Sequence, residues 1–254
     1  MAGTYTRSEQ SVGLTLGQVL LAFVVLGSLL RILAARGDFW LDEILSLQVA
    51  SAASSMAEIF TNYTDNNHLL NSLWIYALGG NQSFYAYRLL SVITGILGLL
   101  VIPGLPLFRS NSERTVAVLL WSASYYTVLY GTEARGYGPM LFFGLCALKL
   151  ALGEIPRSRA GGLVRALAYF SACALGVLSH ATFVNFYAAL VLGPLAAQFF
   201  WPAAGQRLGG ILRLNLAPAC FMAVMYYLFI SRIPKGSGTL RSFMEVILNA
   251  ASSA

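Results

Sequence analysis

Apolar runs of about 18 residues or more recur along the chain of 254 residues, and each is long enough to cross a hydrocarbon core of about 30 Å. Only 10% of the residues are charged, whereas soluble domains average about 25%. So few charged side chains cannot cover the surface of a soluble protein of this size. These observations argue against a soluble enzyme, a disordered chain and a nucleic-acid-binding domain. They predict an all-α, polytopic helical membrane protein.

We predict seven transmembrane helices, at 14–35, 87–107, 115–131, 137–153, 163–179, 182–200 and 211–230. With the N-terminus in the cytoplasm, nine of the sixteen Lys and Arg residues fall on the cytoplasmic side, including a cluster from Lys149 to Arg165. The positive-inside rule therefore favours this orientation. We treat 1–254 as a single transmembrane domain.

The first outer loop, at about 36–87, is the sizeable segment outside the predicted spans. It contains an amphipathic stretch, the polar turn TNYTDNNH and the short apolar run LLNSLWIYALG. Eleven residues are too few to cross the bilayer, so we expect an interfacial or re-entrant helix there. Five acidic residues lie in this loop, which makes it the place to look for a functional site.

Asp42 and Glu43 follow the aromatic pair Phe39 and Trp40 directly after the first helix. Aromatic residues at this depth anchor a chain at the membrane interface, so both carboxylates are expected at the lipid–water boundary. One interpretation is structural: Asp42 caps the next helix and Glu43 favours its positive end. The other is a general base that meets a lipid-linked substrate.

Asp65 and His68 belong to a polar cluster, DNNH, that precedes the short apolar helix. They either cap that helix and lie among the headgroups, or bind a sugar, a phosphate or a divalent cation. Their spacing, with Asp42 and Glu43, matches no specific metal motif, so we predict no metal site and no cofactor.

Arg88 and Arg135 are placed near the outer ends of predicted spans, with Tyr137 beside Arg135. Each guanidinium either extends to the headgroups or binds a lipid phosphate through two hydrogen bonds. His180, at the outer end of the fifth span, is either packed between helices or part of the same polar layer. The predicted topology brings all these residues to one membrane face, which indicates a site at the outer leaflet.

In order along the chain, these elements resemble the membrane glycosyltransferases of the GT-C fold, in particular bacterial relatives of protein O-mannosyltransferases and aminoarabinose transferases. The resemblance covers about the first 180 residues. It consists of FWLDE after one helix, Asp65 and His68 in the loop, RLLS, EARGY and the terminal His180. Family members often carry His-Pro-Pro where this chain has His68-Leu69-Leu70, and they usually continue for further spans. The chain is therefore expected to be a short member or a truncated one.

The resemblance implies an inverting transfer of a hexose or pentose from a polyprenyl-phosphate donor to a hydroxyl of a glycan, lipid or protein acceptor. Asp42 would be the base and Glu43 would position the acceptor or tune Asp42. Arg135 and Arg88 would bind the leaving phosphate, while Asp65, His68, Tyr137 and His180 would complete the substrate contacts. The expected location is the plasma membrane, with membrane lipids as surroundings and no nucleic-acid partner. The alternatives are a transporter or a flippase of lipid-linked substrates, and a non-catalytic membrane scaffold.

Overall fold

The computed structural model describes residues 15–64, 66–154, 156–200 and 208–233. Every regular element within these ranges is helical, as the apolar periodicity predicts. The α-helices are α1 (Leu16–Ala34), α2 (Leu41–Ala52), α3 (Met56–Ile59), α4 (Leu69–Leu78), α5 (Phe84–Val101), α6 (Asn111–Ala123), α7 (Tyr125–Tyr130), α8 (Tyr137–Leu152), α9 (Arg159–Ser179), α10 (Phe183–Phe200) and α11 (Leu208–Leu228). The all-α class is confirmed.

Four helical segments of the described chain are long and apolar enough to cross a membrane: Leu16–Ala34, Phe84–Gly104, Arg159–Ser179 and Leu208–Arg232. Three shorter apolar helices, Leu69–Leu78, Tyr137–Leu152 and Phe183–Ala197, accompany them. The chain is thus a helical membrane protein with four candidate spans. The predicted count of seven spans stays a prediction.

The predicted span at 115–131 is not one continuous helix. Ser124 has an extended backbone and ends α6, and its carbonyl begins α7 by accepting the N–H of Val128. Where a helix is interrupted, the last carbonyls before the break lose their hydrogen-bond partners within the helix. The Trp121 carbonyl accepts instead from the Thr127 hydroxyl and from the Arg31 guanidinium of α1.

The first loop folds against the bundle. Trp40, which caps α2, and Leu41, Ile44 and Leu45 within it are exposed, whereas Glu43, Ser46 and Ala50 are buried. The short α4 packs on α2, α5 and α9, and buries Leu69, Asn71, Ser72 and Ile75. This packing gathers the ends of α1 and α9 and the starts of α2, α4, α5 and α8 at one end of the bundle, called the site end below.

Candidate functional site

An interior ion pair joins Glu43, in the first turn of α2, to Arg88 of α5. The Arg88 Nε donates to Glu43 Oε1 at 2.8 Å and Nη2 donates to Oε2 at 2.6 Å. The side chains of Arg88 and Glu43 are 3% and 0% exposed. Because the remaining Arg88 N–H groups donate to the carbonyls of Ala35, Gly37 and Asp38, all five guanidinium donors are occupied.

Glu43 also fixes the loop between α7 and α8, the 131–136 segment. Its carboxylate accepts the backbone N–H of Trp40 at 2.9 Å and that of Ala134 at 2.6 Å. The Ala134 carbonyl accepts from the Asn71 amide at 2.7 Å, and the Ser91 hydroxyl donates to the Arg135 carbonyl at 3.1 Å. Side chains of α2, α4 and α5 therefore hold the backbone of this segment in place.

A second ion pair lies at the rim of the site end. Arg135 Nη1 is 2.9 Å from Asp42 Oδ2, and the Asp42 side chain is 49% exposed against 16% for Arg135. The same nitrogen is 3.8 Å from Glu133 Oε2. Asp42 is thus the carboxylate of this cluster that solvent or a substrate can reach, while Arg135 connects it to a buried acid.

Four rings form a continuous stack beside Arg135. Tyr130 stacks on Tyr137 with ring centroids 4.6 Å apart, Tyr137 on His180 at 4.3 Å and His180 on His68 at 4.7 Å. The Arg135 Cζ lies 4.8 Å from the centroid of the Tyr137 ring, a cation–π geometry. The stack leads from the half-buried tyrosines to the buried His68.

Both histidines of the stack are held neutral. Burial lowers the pKa of His68 to about 3, helped by His180 and Arg135, and burial with Arg135 lowers the pKa of His180 to about 4. His180 Nδ1 accepts the Thr182 backbone N–H at 3.1 Å, so its proton is on Nε2. Near pH 7 these rings offer hydrogen bonds and flat faces rather than charge.

Buried polar atoms without a hydrogen-bond partner are concentrated at this place. Of the six such side-chain atoms in the described ranges, four belong to the cluster: His68 Nε2, Asn71 Oδ1, Glu133 Oε2 and Arg135 Nε. Buried polar groups are almost always paired, because an unpaired one costs about 1–3 kcal/mol. Such a concentration is typical of a site built to meet a ligand.

A groove between two helices, called the lateral groove below, adjoins the interior pair. It has a volume of about 530 Å³ and lies between the end of α1 and the start of α5. Its lining includes the apolar Ile32, Ala35 and Phe84 together with the exposed Arg36. A smaller cavity of about 30 Å³ separates His68 and His180 from the end of α11.

The structure brings seven of the eight predicted site residues to the site end; Asp65 lies outside the described residues. In four respects the arrangement differs from what the sequence predicts. Arg88 has no N–H free for a phosphate, and Glu43 is fully buried with both oxygens bonded, so neither can contact a substrate in this arrangement. The cap of α2 is Trp40 rather than Asp42, and His68 is 5% exposed instead of lying among headgroups.

Sequence reasoning missed Arg31, which is fully buried in the last turn of α1. Its guanidinium donates to the Gly27 carbonyl at 2.9 Å and to the Trp121 and Thr127 carbonyls at 3.2 Å. No carboxylate in the described ranges pairs with it. The available signal was an arginine inside an apolar run, which is rare enough in a membrane helix to indicate a specific role. Asn71, a polar residue inside the short apolar run LLNSLWIYALG, was also missed and gave a weaker signal of this kind.

Comparisons of the chain with protein-family models, with curated proteins and with solved structures gave no match in any of the three.

Proposed function

We propose that this protein is a membrane glycosyltransferase of the GT-C type, which transfers a sugar from a polyprenyl-phosphate donor to an acceptor hydroxyl with inversion of configuration. One observation carries the proposal: a half-exposed carboxylate, Asp42, and a guanidinium, Arg135, are paired at 2.9 Å on a rigid, otherwise buried polar cluster. A base beside a phosphate-binding cation is what this reaction needs.

Asp42 is the proposed general base, since its carboxylate is accessible to an acceptor hydroxyl. Arg135 is the proposed partner of the donor phosphate, because a guanidinium can bind the negative charge that develops as the sugar leaves. When Arg135 turns to the phosphate, its contact with Asp42 weakens and the base becomes free to take the proton. Donor binding and activation of the base are thereby coupled.

The remaining predicted residues have supporting roles in this proposal. Glu43 and Arg88 are positioning residues, which hold the start of α2 and the 131–136 segment in fixed relation. Tyr137, His68 and His180 provide the ring faces and hydrogen bonds against which the sugar or phosphate packs. Asp65 stays a predicted substrate contact. No metal or cofactor is part of the proposal.

A lipid-linked donor also fits the surroundings of the site. The lateral groove opens beside the interior pair and combines apolar walls with Arg36, which suits a prenyl chain carrying a phosphate. We further propose that the site end faces outward across the plasma membrane, with the N-terminus in the cytoplasm. The acceptor is a hydroxyl of a glycan, a lipid or a protein.

The first test is transfer from labelled polyprenyl-phosphate hexoses by the full chain in reconstituted membranes. Replacing Asp42 by Asn should lower the rate by about 10²–10⁴-fold, the usual contribution of a general base. Asp38→Asn is the matched control, because Asp38 is exposed and contributes only its backbone carbonyl to Arg88. Equal activity of the native chain and Asp42→Asn would remove Asp42 as the base, and inactivity of the native chain toward all donors would contradict the function.

A flippase of lipid-linked substrates is the second candidate, and two observations favour it. Arg31 is a buried membrane charge with no acidic partner in the described chain, and the helix break at Ser124 lies where α6 meets α7. Carriers often place charges at broken helices, but near the bilayer midplane, whereas Arg31 is in the last turn of α1. Movement of a fluorescent prenyl phosphate between leaflets that is unaffected by Asp42→Asn would favour this alternative.

A further inference from the structure

Glu133 is an acid to which the reaction described above gives no role. Its side chain is 9% exposed, and Oε2 has no hydrogen-bond partner. The nearest positive charge is Arg135 Nη1 at 3.8 Å, beyond hydrogen-bond distance, and that nitrogen is already paired with Asp42 at 2.9 Å. Glu133 thus competes for a cation that a more exposed carboxylate holds.

The charges around Glu133 do not balance when every acid is ionised. Asp42 and Glu43 face it from α2, Arg88 from α5 and Arg135 from its own segment. With Glu133 these make three acids and two arginines, a surplus of one negative charge. His68 from the start of α4 and His180 from the end of α9 add no charge, because burial keeps both neutral above about pH 5.

A phosphodiester that binds Arg135 would raise the surplus of this buried cluster from one negative charge to two. Burial already raises the pKa of Glu133, and the Asp42 and Glu43 charges raise it further, while Arg135 and Arg88 lower it. An anion bound at Arg135 weakens the attraction by which Arg135 stabilises the Glu133 carboxylate, and its own negative charge repels that carboxylate. Both effects raise the pKa of Glu133. The simplest relief is for Glu133 to take a proton from solvent.

We propose that Glu133 takes up one proton when a phosphodiester binds at Arg135, and that its carboxyl then donates a hydrogen bond to the bound phosphate. The inference rests on the proposed function: the uptake of a proton by Glu133 would allow the same site to bind an anionic donor. No covalent bond changes in this step: one proton moves from the buffer to a Glu133 oxygen, and it returns when the phosphate leaves. Asp42 takes no part in this proton transfer and remains the proposed base.

Proton uptake on binding can be measured directly on the native full chain. The probe is a short-chain prenyl-phosphate hexose, a diester whose single negative charge is constant across the range studied. Isothermal titration calorimetry in two buffers of different ionisation enthalpy, at about pH 7, counts the protons taken up. We expect an uptake approaching one proton at pH values between the pKa of Glu133 in the empty site and its higher pKa in the occupied site, and an affinity that weakens by up to about tenfold per pH unit within that window.

The variant Glu133→Gln should bind the same probe with no proton uptake and with affinity that changes little with pH. Glu58→Gln is the matched control, because Glu58 is an exposed acid of α3 whose carboxylate accepts from the backbone N–H and the hydroxyl of Ser54. Glu58→Gln should keep the native proton count and pH profile. A glutamine at 133 still offers a hydrogen-bond donor, so the variant keeps the shape of the site.

Three outcomes separate this inference from the function beneath it. Binding by the native chain without proton uptake, or uptake that persists in Glu133→Gln, would overturn the inference and leave the donor class standing. Uptake that disappears in Asp42→Asn but persists in Glu133→Gln would assign the proton to Asp42 and also overturn it. Absence of binding of the diester at every pH would contradict the proposed function itself and the inference with it.

Discussion

Two arginine–carboxylate pairs lie side by side at the site end, and they differ in almost every physical respect. In the pair of Arg88 and Glu43 both side chains are buried and every donor of the guanidinium is occupied. In the pair of Arg135 and Asp42 the carboxylate is half exposed, one contact joins the two groups, and Arg135 Nε has no partner. The first pair is complete, whereas the second has capacity left for another group.

This difference separates a structural role from a functional one. A buried pair with all its hydrogen bonds made cannot exchange partners without a large loss of free energy. A pair at the rim can, because water compensates the partner that is released. The interior pair therefore holds the frame on which the rim pair is available for chemistry.

The comparison is tested most severely by removing the interior cation. Arg88→Met would leave the Glu43 carboxylate buried without a counter-charge, which costs about 3–5 kcal/mol of unfolding free energy. Unfolding of the purified chain in detergent, by heat or by added dodecyl sulfate, measures this cost. Arg88→Lys should rescue little, because one ammonium cannot replace two parallel hydrogen bonds and three carbonyl contacts.

Arg36→Met is the control for this loss, since Arg36 is exposed and lies between Ala35 and Gly37, two residues whose carbonyls Arg88 binds. It should change stability by less than about 0.5 kcal/mol. A cost for Arg88→Met as small as that of Arg36→Met would mean that the interior pair does not hold the frame.

A smaller effect is expected from Gly136, which joins the rim segment to the ring stack. A Cβ on this residue would lie 1.6 Å from the Ser179 carbonyl oxygen and 3.0 Å from His68 Cβ, so the end of α9 must move away. Overpacking of this kind costs about 1–3 kcal/mol. Gly136→Ala should therefore lower the unfolding midpoint and disturb binding at the rim.

Gly162 of α9 is the matched glycine, because an added Cβ there meets no atom within 4 Å. Gly162→Ala should be neutral or stabilising by up to about 1 kcal/mol, as for alanine in a helix. If both alanine variants are equally stable, the rim segment tolerates displacement and its geometry is not fixed by this contact.

Much of the helical architecture could be predicted from the sequence, because a helix that crosses a membrane needs a long apolar run. The break at Ser124 could not, since 115–131 contains no charged residue and a serine in such a run carries no clear signal. The interruption depends on Arg31 and Thr127, which supply donors to the Trp121 carbonyl from distant or later positions.

The gathering of site residues was predictable from topology, but their division into two pairs was not. An arginine that opens a helix suggests contact with headgroups, and nothing local reveals that Arg88 pairs with an acid 45 residues earlier. Likewise Asp42 and Glu43 are adjacent in sequence, yet successive helical residues point to different faces. One therefore faces the interior and the other the rim.

Among the substitutions at Arg88, Gly136 and Arg135, the one at the rim pair should change stability least. Arg135→Gln should alter the unfolding free energy by less than about 1 kcal/mol, because Asp42 is half solvated and a half-exposed pair contributes little. Glu133, which also loses the nearby cation, can avoid an unpaired charge by holding a proton, since burial already raises its pKa.

The same substitution, Arg135→Gln, should reduce sugar transfer by about 10²–10³-fold if Arg135 binds the leaving phosphate. Stability and activity measured on one preparation decide the matter: a loss of several kcal/mol would make the rim pair structural, like that of Arg88 and Glu43, and the distinction between the two pairs would fail.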